Sequence, residues 1–497
     1  AQGSVDKRAA RVLLLLSHRK VTPRVTARTA SAAPNPAVLL GILVFSAMMM
    51  IFNETTVSVA LPAIMQEFAV SADVAQWLLT GFMLTMAVVI PTTGFLIERL
   101  TTRTLYFAAM GLFIGGSVLA ALSPAFVVLI LARIVQAAGT AVMIPLLFTV
   151  TLNVISPQRR GTVMGLNAVV ISVAPALGPA LAGAVLNAYT WHHIFWVMVP
   201  VPVLLVVCAF FFMRNVGETR STPLDLPSVG LSVLAFGGLV YGLSTFTQLL
   251  TGESVAPAIA LAVGIAFTVV FVGRQRRLAA RHRALLDFGA FRYRDFTCSI
   301  IAVVFIFGAF LGTVNLLPIY MQGALGLSTL LTGLLLLPGG VAQGIASPIA
   351  GRIYDAVGTR PLAVPGAILM GASQAALWLL LGEDTPAWVI VVSLIAVNVA
   401  MAMVMTPLLT ASLSALPNAL YSHGSAILNT LQQLGGAAGT AVLIGVMSLR
   451  VAAGATQAEG SASAFVAGVV ASIIALAAVS LVGGRRGTVT VESSEPR

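Results

Sequence analysis

Long apolar runs, separated by short polar segments, make up almost the whole chain beyond residue 37. A helix needs about 20 mostly apolar residues to cross the hydrocarbon core of a bilayer. The runs are continuous rather than ten-residue alternations, which excludes a membrane β-barrel. We therefore predict an all-α polytopic membrane protein with fourteen spanning helices, at 38–61 (α1), 77–97 (α2), 105–122 (α3), 125–147 (α4), 164–187 (α5), 194–213 (α6), 227–249 (α7), 257–273 (α8), 296–318 (α9), 329–350 (α10), 362–381 (α11), 387–409 (α12), 423–448 (α13) and 463–483 (α14).

The composition excludes other classes of protein. Hydrophobic residues make up 58% of the 497 positions and charged residues only 9%, whereas soluble domains carry about 25% charged residues. The chain is too apolar for a disordered protein, and its glycines and prolines follow no collagen period. Cys208 and Cys298 lie in apolar runs, so we interpret them as small core residues and expect neither a metal nor a redox site.

The 27 basic residues outnumber the 16 acidic ones and fall on one side of the predicted topology. With the N-terminus inside, the alternation of the loops places nearly all of them on the inner face; Arg450 lies outside and Arg133 lies within α4. The positive-inside rule predicts this asymmetry, so we expect both termini to be cytoplasmic. The basic residues are scattered over short loops, which argues against a nucleic-acid partner.

Residues 1–36 are basic and nearly free of acidic side chains. The apolar run Val12–Leu16 is too short for the core of a signal peptide. A transit peptide fits the composition, but we favour a cytoplasmic tail attracted to anionic lipid, so membrane lipid is an expected partner.

Two halves of the chain resemble each other at offsets of 256, 257 and 262 residues, so α1–α6 recur as α9–α14. An even number of helices keeps the same orientation in both copies, as in transporters that bind substrate between two rocking bundles. The repeated segments are Leu61–Gln66 and Leu317–Gln322, Gly94–Arg103 and Gly351–Arg360, Val142–Leu147 and Val404–Leu409, and Leu166–Asn167 and Leu428–Asn429. The predicted organisation is a basic tail (1–37), a six-helix bundle (38–213), a two-helix insert (214–295), a second six-helix bundle (296–483) and a second tail (484–497).

Glu54 is the one acidic residue well inside a predicted span, and Arg133 is the one deep base. An ionisable side chain at this depth costs about 2.5–3.5 kcal/mol or more, so it is retained where a cavity or a partner exists. One interpretation is a structural salt bridge between α1 and α4. The other makes Glu54 the exchangeable proton site or the counter-charge for a cationic substrate, since desolvation favours its neutral form and Arg133 its charged form. A single carboxylate favours protons over sodium as the coupling ion.

Neutral polar side chains within the spans are candidates for lining a substrate cavity, although hydrogen bonds between helices would use them equally. They are Asn53, Gln136, Asn167, Asn315, Asn429, Gln432 and Gln433.

Small residues and prolines recur along α5, where proline bends a helix and small residues allow close packing. This stretch resembles the antiporter motif of the major facilitator superfamily, although Ala174 and Ala182 stand where glycine is usual. Leu129–Gly139 resembles the superfamily's motif in α4, whose arginine is implicated in proton coupling. The positions matched to the antiporter motif are Gly165, Ala174, Pro175, Gly178, Pro179 and Gly183.

The repeated segment after α2 and after α10 resembles the superfamily's loop motif. Glu98 stands where aspartate is usual and Thr101 where glycine is usual, whereas the copy after α10 is closer to the pattern. The resemblance implies that these segments form contacts of a cytoplasmic gate. The gate residues it implies are Gly94, Glu98, Arg99, Arg103, Gly351, Arg352, Asp355 and Arg360.

Fourteen helices together with an antiporter motif resemble the 14-helix drug/proton antiporter branch. Asn53–Pro62 is similar to the lincomycin-resistance group, other members of the branch having Asp in place of Asn53, and Gly424–Gln433 resembles the branch's helix 13. The resemblance implies a multi-pass protein of the bacterial plasma membrane. It would act as a monomer and export amphipathic, often cationic drugs in exchange for protons, with the proton gradient and no cofactor as its energy source.

Other functions remain open at this stage. The same machinery would serve a dedicated exporter of an endogenous metabolite or antibiotic, and a channel or receptor would require Glu54 to be structural. A membrane enzyme would need clustered His, Asp or Glu residues at one depth, which the spans do not supply, and no phosphate-binding loop indicates ATP use.

Overall fold

The computed structural model describes residues 36–70, 72–216, 225–280 and 283–483, where the regular structure is entirely helical. All fourteen predicted spans coincide with helices. Their bounds are Pro36–Phe68 (α1), Ala72–Arg99 (α2), Thr102–Ala121 (α3), Phe126–Val154 (α4), Arg160–Ala188 (α5), His192–Val197 with Pro200–Phe212 (α6), Leu226–Ser244 followed by Phe246–Leu250 (α7), Ala256–Ala279 (α8), Arg294–Gly323 (α9), Thr329–Val357 (α10), Arg360–Leu380 (α11), Ala387–Ser414 (α12), Tyr421–Ala452 (α13) and Gln457–Leu481 (α14). The tails, 1–35 and 484–497, lie outside the described residues.

Most helices are longer than the apolar runs that predicted them. Over the described residues, thirteen helical stretches are long and apolar enough to cross a membrane. Helix α5 has 29 residues, but the side chains of 170–177, 179 and 180 lie outside the description. Helix α6 is interrupted before Pro200, which has no N–H to continue the hydrogen-bond ladder.

Side-chain caps fix several helix starts in the loops. Thr101 accepts a hydrogen bond from the Thr104 N–H at the start of α3, and Ser328 accepts one from Leu331 at the start of α10. Such caps satisfy backbone donors that have no partner inside the helix. In these two loops a polar side chain therefore sets where the span begins.

Two repeat-related contacts join the two bundles. Helix α5 of the first bundle packs along α10 of the second, and α2 of the first packs along α13 of the second. The repeat relates α2 to α10 and α5 to α13, so these are two copies of one kind of contact. The architecture thus has two seams between the bundles, which we name the α5–α10 seam and the α2–α13 seam.

The two-helix insert lies beside the α2–α13 seam. Helix α7 packs against α8, α2 and α13, and aromatic rings continue from the insert through the short helix Phe288–Arg292 to the start of α9. Arg274 of α8 donates two hydrogen bonds, each 2.8 Å long, to the two carboxylate oxygens of Asp225 at the start of α7. These bonds, together with those from Ser228, outweigh burial and lower the pKa of Asp225 to about 2. The insert is thereby fastened within itself and to the second bundle.

Candidate functional site

Arg133 lies at the centre of a buried polar network in the first bundle. Its side chain is only 1% exposed. Its Nη1 donates to Asn53 Oδ1 over 2.6 Å and to Gln136 Oε1 over 3.0 Å, and its guanidinium lies 4.1 Å from the ring centroid of Phe82. Gln136 in turn donates to Ser117 Oγ over 2.9 Å. The network links α1, α3 and α4 through neutral acceptors, so Asn53 and Gln136, predicted to line a cavity, are placed as buried partners of Arg133.

Glu54 follows Asn53 on α1 but does not join this network. Among the described residues its half-buried carboxylate forms no hydrogen bond and no ion pair within 4.0 Å. Arg133 is the charged group that acts on it electrostatically. The salt-bridge interpretation of these two residues is therefore not the arrangement the structure shows.

Two donors of the network are buried without a partner. Arg133 Nη2 and Asn53 Nδ2 both lack an acceptor among the described residues. A buried cation without a compensating carboxylate is costly, as is an unsatisfied buried donor. In the middle of α1 and α4, two buried donors therefore still lack acceptors, and the positive charge of Arg133 is balanced by no contacting carboxylate among the described residues. Glu54, which acts on Arg133 electrostatically, is the nearby carboxylate.

The antiporter-motif segment on α5 packs against this part of α1. A Cβ atom at Gly178 would lie 3.1 Å from Thr55 Cβ and 3.3 Å from the Phe52 carbonyl oxygen, so only glycine permits the observed approach. At Gly165 a Cβ would lie 2.6 Å from the Ser347 carbonyl oxygen of α10. The same helix thus touches the Glu54 turn and the second bundle. Gly183 has open space beside it, and the side chains of Ala174, Pro175 and Pro179 lie outside the described residues.

At one end of the molecule, Asp355 of α10 caps the first turn of α5. Its carboxylate accepts hydrogen bonds from the Gly161 N–H over 2.9 Å and from the Thr162 N–H over 2.7 Å, and it also accepts one from the Thr162 hydroxyl. Acidic groups are stabilised at a helix N-terminus, where backbone N–H groups have no partner within the helix. Asp355 therefore joins the two bundles across the α5–α10 seam.

Glu98 of α2 makes the related contact at the first turn of α13. Its Oε1 accepts a hydrogen bond from Ser422 Oγ over 2.9 Å and lies 3.2 Å from His423 Nε2. The Glu98 side chain is 19% exposed and that of His423 is 9% exposed. We name the Asp355 and Glu98 contacts together the gate, after the role that the resemblance to the loop motif implies, and the end of the molecule where they lie the gate end.

The arginines of the two loop motifs contact their own bundles. Arg103 donates to the Phe210 carbonyl near the end of α6 over 2.9 Å, and Arg360 donates to the Val482 carbonyl at the end of α14. Helix C-termini leave carbonyls free, which cations satisfy. Arg99 lies 5.9 Å from the centroid of the Phe95 ring, and Arg352 is exposed. Of the predicted gate set, the two carboxylates therefore bridge the bundles and the two repeat-related arginines fasten the last helix of each bundle.

Residues at the gate that the sequence interpretation missed lie on the first turns of α5 and α13. Arg160 donates from Nη1 to the Tyr421 hydroxyl over 3.2 Å and from Nη2 to the Leu152 carbonyl over 2.8 Å, so it joins the bundles as well. The repeat offset of 262 residues contained the signal, because it relates Arg160 to Ser422 and Gly161 to His423.

The remaining predicted cavity residues separate into two groups. Asn167 and Asn429 are buried and donate within their own bundles, to Thr151 Oγ1 over 3.2 Å and to the Ser425 carbonyl over 2.8 Å. Asn315 is exposed and donates to Thr440 of α13 over 3.0 Å, and Gln432 and Gln433 are half-buried on α13. Within the described residues, no group of three His, Cys, Asp or Glu side chains could hold a metal ion.

Two repeated six-helix bundles of membrane-spanning helices are the architecture of a membrane transporter. The chain belongs to the Major Facilitator Superfamily, whose family model matches residues 43–440. It is similar to the MFS-type transporter YcnB of Bacillus subtilis (strain 168), with 40% identity over 90% of this chain and 94% of that protein. It is also similar to the lincomycin resistance protein LmrB of Listeria monocytogenes, with 38% identity over 80% of this chain and 83% of that protein. Among solved structures, the human organic anion transporter MFSD10 shares the fold, with a TM-score of 0.64 and 14% identity over 91% of this chain and 100% of that one.

Proposed function

We propose that this chain is a proton-coupled exporter of amphipathic, often cationic drugs in the plasma membrane of a bacterium, with both termini in the cytoplasm. The basic loops support a cytoplasmic position for the gate end, through the positive-inside rule. The proton gradient would supply the energy, without a cofactor, and the protein would work as a monomer. The relative named for lincomycin resistance supports an antibiotic as one substrate.

The free carboxylate of Glu54 is the observation that carries this proposal. It lies in the middle of α1, has no hydrogen-bond or ion-pair partner among the described residues, and has the buried cation Arg133 as its charged neighbour. A proton neutralises such a carboxylate, and a cationic drug compensates its charge. The two ligands therefore compete for one group, which is the condition for exchanging one against the other.

Coupling also requires a ligand to distinguish the two facing states. A ligand that binds both states equally shifts neither, however tightly it binds. Gly178 of α5 contacts the turn of α1 that carries Glu54, and the first turn of α5 carries half of the gate. The occupancy of Glu54 and the closure of the gate are thus linked through one helix.

Drug-driven proton movement in everted membrane vesicles tests the proposal, with wild type compared with Glu54→Gln. The neutral amide keeps the shape of the side chain but cannot exchange a proton, so we expect drug-induced proton movement to fall at least tenfold. Glu383→Gln, which changes an exposed carboxylate in the loop before α12, is the matched control and should behave as wild type.

Exchange at the normal rate by the Glu54→Gln variant would exclude Glu54 as the coupling site. The wild type should be assayed with lincosamides and with cationic dyes. Absence of exchange with both classes would favour a dedicated exporter of an endogenous compound over a drug exporter.

A further inference from the structure

Among the described contacts of the gate, Glu98 faces a histidine, whereas Asp355 faces backbone N–H groups and a hydroxyl. The repeat offset of 262 residues places His423 where the other half has Gly161. The Gly161 N–H, the Thr162 N–H and the Thr162 hydroxyl donate to Asp355, and none of these groups changes charge near neutral pH. Histidine is the side chain whose charge ordinarily changes between pH 5 and 8.

The His423 ring is in direct contact with the Glu98 carboxylate. Its Nε2 lies 3.2 Å from Glu98 Oε1, and both side chains are largely withdrawn from solvent. Gly94, one turn before Glu98 on α2, makes room for the ring, because a Cβ there would lie 3.2 Å from His423 Nδ1. That Nδ1 atom is buried and has no hydrogen-bond partner among the described residues. Among the described residues, the imidazole therefore has one polar partner, the carboxylate of the opposite bundle.

The other elements at this point add few charges. Helix α2 contributes Glu98 and then Arg99. Helix α5 contributes Arg160, which is held on the Tyr421 hydroxyl two residues before His423. Helix α9 contributes Asp295, whose carboxylate accepts the Gly483 N–H over 2.8 Å. The N-terminus of α13, Arg99 and Arg160 disfavour a positive charge on the imidazole. Glu98, the carboxylate in contact with the ring, favours that charge.

We propose that His423 is a proton-sensitive latch of the gate, which a proton from the gate side tightens by turning the Glu98 contact into an ion pair. A neutral imidazole brings no net charge to the carboxylate, whereas a protonated one adds the attraction of opposite charges at 3.2 Å. When the gate opens, α2 and α13 separate and the imidazole loses its carboxylate. The closed state therefore binds the proton more tightly than the open state, and the closed population rises as pH falls through the range in which histidine titrates.

The latch depends on the proposed function in one respect, namely that the gate end faces the cytoplasm. In that orientation an acidic cytoplasm would hold the transporter closed to the inside. Proton import would slow when protons accumulate there. The regulation would be separate from Glu54, which lies in the middle of α1.

Distance measurements between the bundles test the latch without substrate or gradient. Spin labels at Gln158→Cys and Asn418→Cys, both exposed and just before α5 and α13, report gate opening in a Cys208→Ala, Cys298→Ala and Glu54→Gln background. The last change removes the titration of Glu54. Between pH 8 and pH 6 we expect the ratio of closed to open protein to rise about fivefold, as an ion pair worth about 1 kcal/mol implies.

His423→Gln keeps a neutral donor but cannot be charged, so the ratio should become independent of pH, and Glu98→Gln should have the same effect by removing the acceptor's charge. Thr162→Ala, which removes one hydroxyl bond from the other half, should lower the ratio equally at both pH values. An unchanged pH response in His423→Gln, or a flat response in the parent, would overturn the latch. Since no transport is measured, either result leaves the drug-coupled exchange assay to decide the proposed function separately.

Discussion

In each half of the gate a carboxylate contacts the first turn of a helix in the opposite bundle, but the two carboxylates have different partners. Asp355 accepts two backbone N–H groups and a hydroxyl at the start of α5, whereas Glu98 accepts a hydroxyl and faces an imidazole at the start of α13. The first is a helix cap, with donors fixed by the backbone. The second is a contact between side chains, one of which titrates. An internal repeat has thus conserved the position of the carboxylate while letting its partners diverge.

Because of this difference, we expect the strength of the contact to depend on pH at one seam and not at the other. A cap on backbone donors holds the bundles together at any pH at which the aspartate is ionised. A carboxylate facing a histidine has a strength that depends on the proton concentration. The α5–α10 seam would therefore supply most of the closing free energy, and the α2–α13 seam would adjust it.

Matched glycine substitutions should show the largest contrast between the halves. A Cβ at Gly351 would lie 2.9 Å from the Gly161 carbonyl carbon and closer still to its oxygen, and backbone atoms cannot move aside easily. A Cβ at Gly94 would lie 3.2 Å from His423 Nδ1 and 3.3 Å from both the His423 Cα and the Ser422 carbonyl oxygen, which requires a shift of only a few tenths of an ångström. Overpacking costs about 1–3 kcal/mol, so we expect Gly351→Ala to lower the ratio of closed to open protein about tenfold or more and Gly94→Ala about threefold or less. Distances between spin labels at positions 158 and 418 would measure both.

Gly183→Ala, on a stretch of α5 with open space beside it, is the control for the helix itself. Equal effects of Gly351→Ala and Gly94→Ala would contradict the view that the α5–α10 seam is the more rigid one.

Neutralising the two carboxylates should give the next largest contrast, measured at pH 8, where the histidine contact is weakest. Asp355→Asn replaces a charged acceptor of three hydrogen bonds, and Glu98→Gln replaces the acceptor of a hydroxyl and an imidazole. Hydrogen bonds to charged groups are worth about 1.5–3 kcal/mol, so we expect about a tenfold loss of the closed state for Asp355→Asn and about a threefold loss for Glu98→Gln. Labels at 158 and 418 serve again, with Asp384→Asn in an exposed loop as the neutral control. A larger loss for Glu98→Gln at pH 8 would reverse the ranking of the halves.

The sequence predicted where these contacts lie along the chain but not how they are made. Apolar runs gave the depth and number of the helices, and repeated motifs gave the two seams and the two carboxylates. A run of apolar residues says nothing about how a helix is rotated, so the pattern could not show that Asn53 and Gln136 face Arg133. The donors at the start of a helix are backbone N–H groups, which almost any residue supplies. The sequence therefore could not identify the first turns of α5 and α13 as parts of the gate. Long side chains reach in several directions, and Arg103 and Arg360 reach back to their own bundles.

The smallest expected effect concerns the insert, which lies beside only one of the two seams. Helix α7 contacts α2 and α13, and the Asp225–Arg274 pair fastens its start to α8. Asp225→Asn removes a pair whose two hydrogen bonds lie within the insert, so we expect the closed population to change less than twofold at every pH. Thermal unfolding of the purified protein should nevertheless begin at a lower temperature at pH 7, because a hydrogen-bonded ion pair at the helix start is lost.

The pH dependence of this loss has a definite sign. The folded-state pKa of Asp225 is about 2, below its ordinary value of 3.8, so the pair stabilises the folded protein above pH 3.8 and loses this effect as pH falls through about 2. The difference in melting temperature between Asp225→Asn and wild type should therefore be constant from pH 7 to pH 5 and shrink only below about pH 4. Melting curves recorded over this range would check it. If this difference in melting temperature varied between pH 8 and pH 6, a second titrating group would be coupled to the insert at the α2–α13 seam. The pH dependence of the closed population would then have to be assigned to that group as well as to His423.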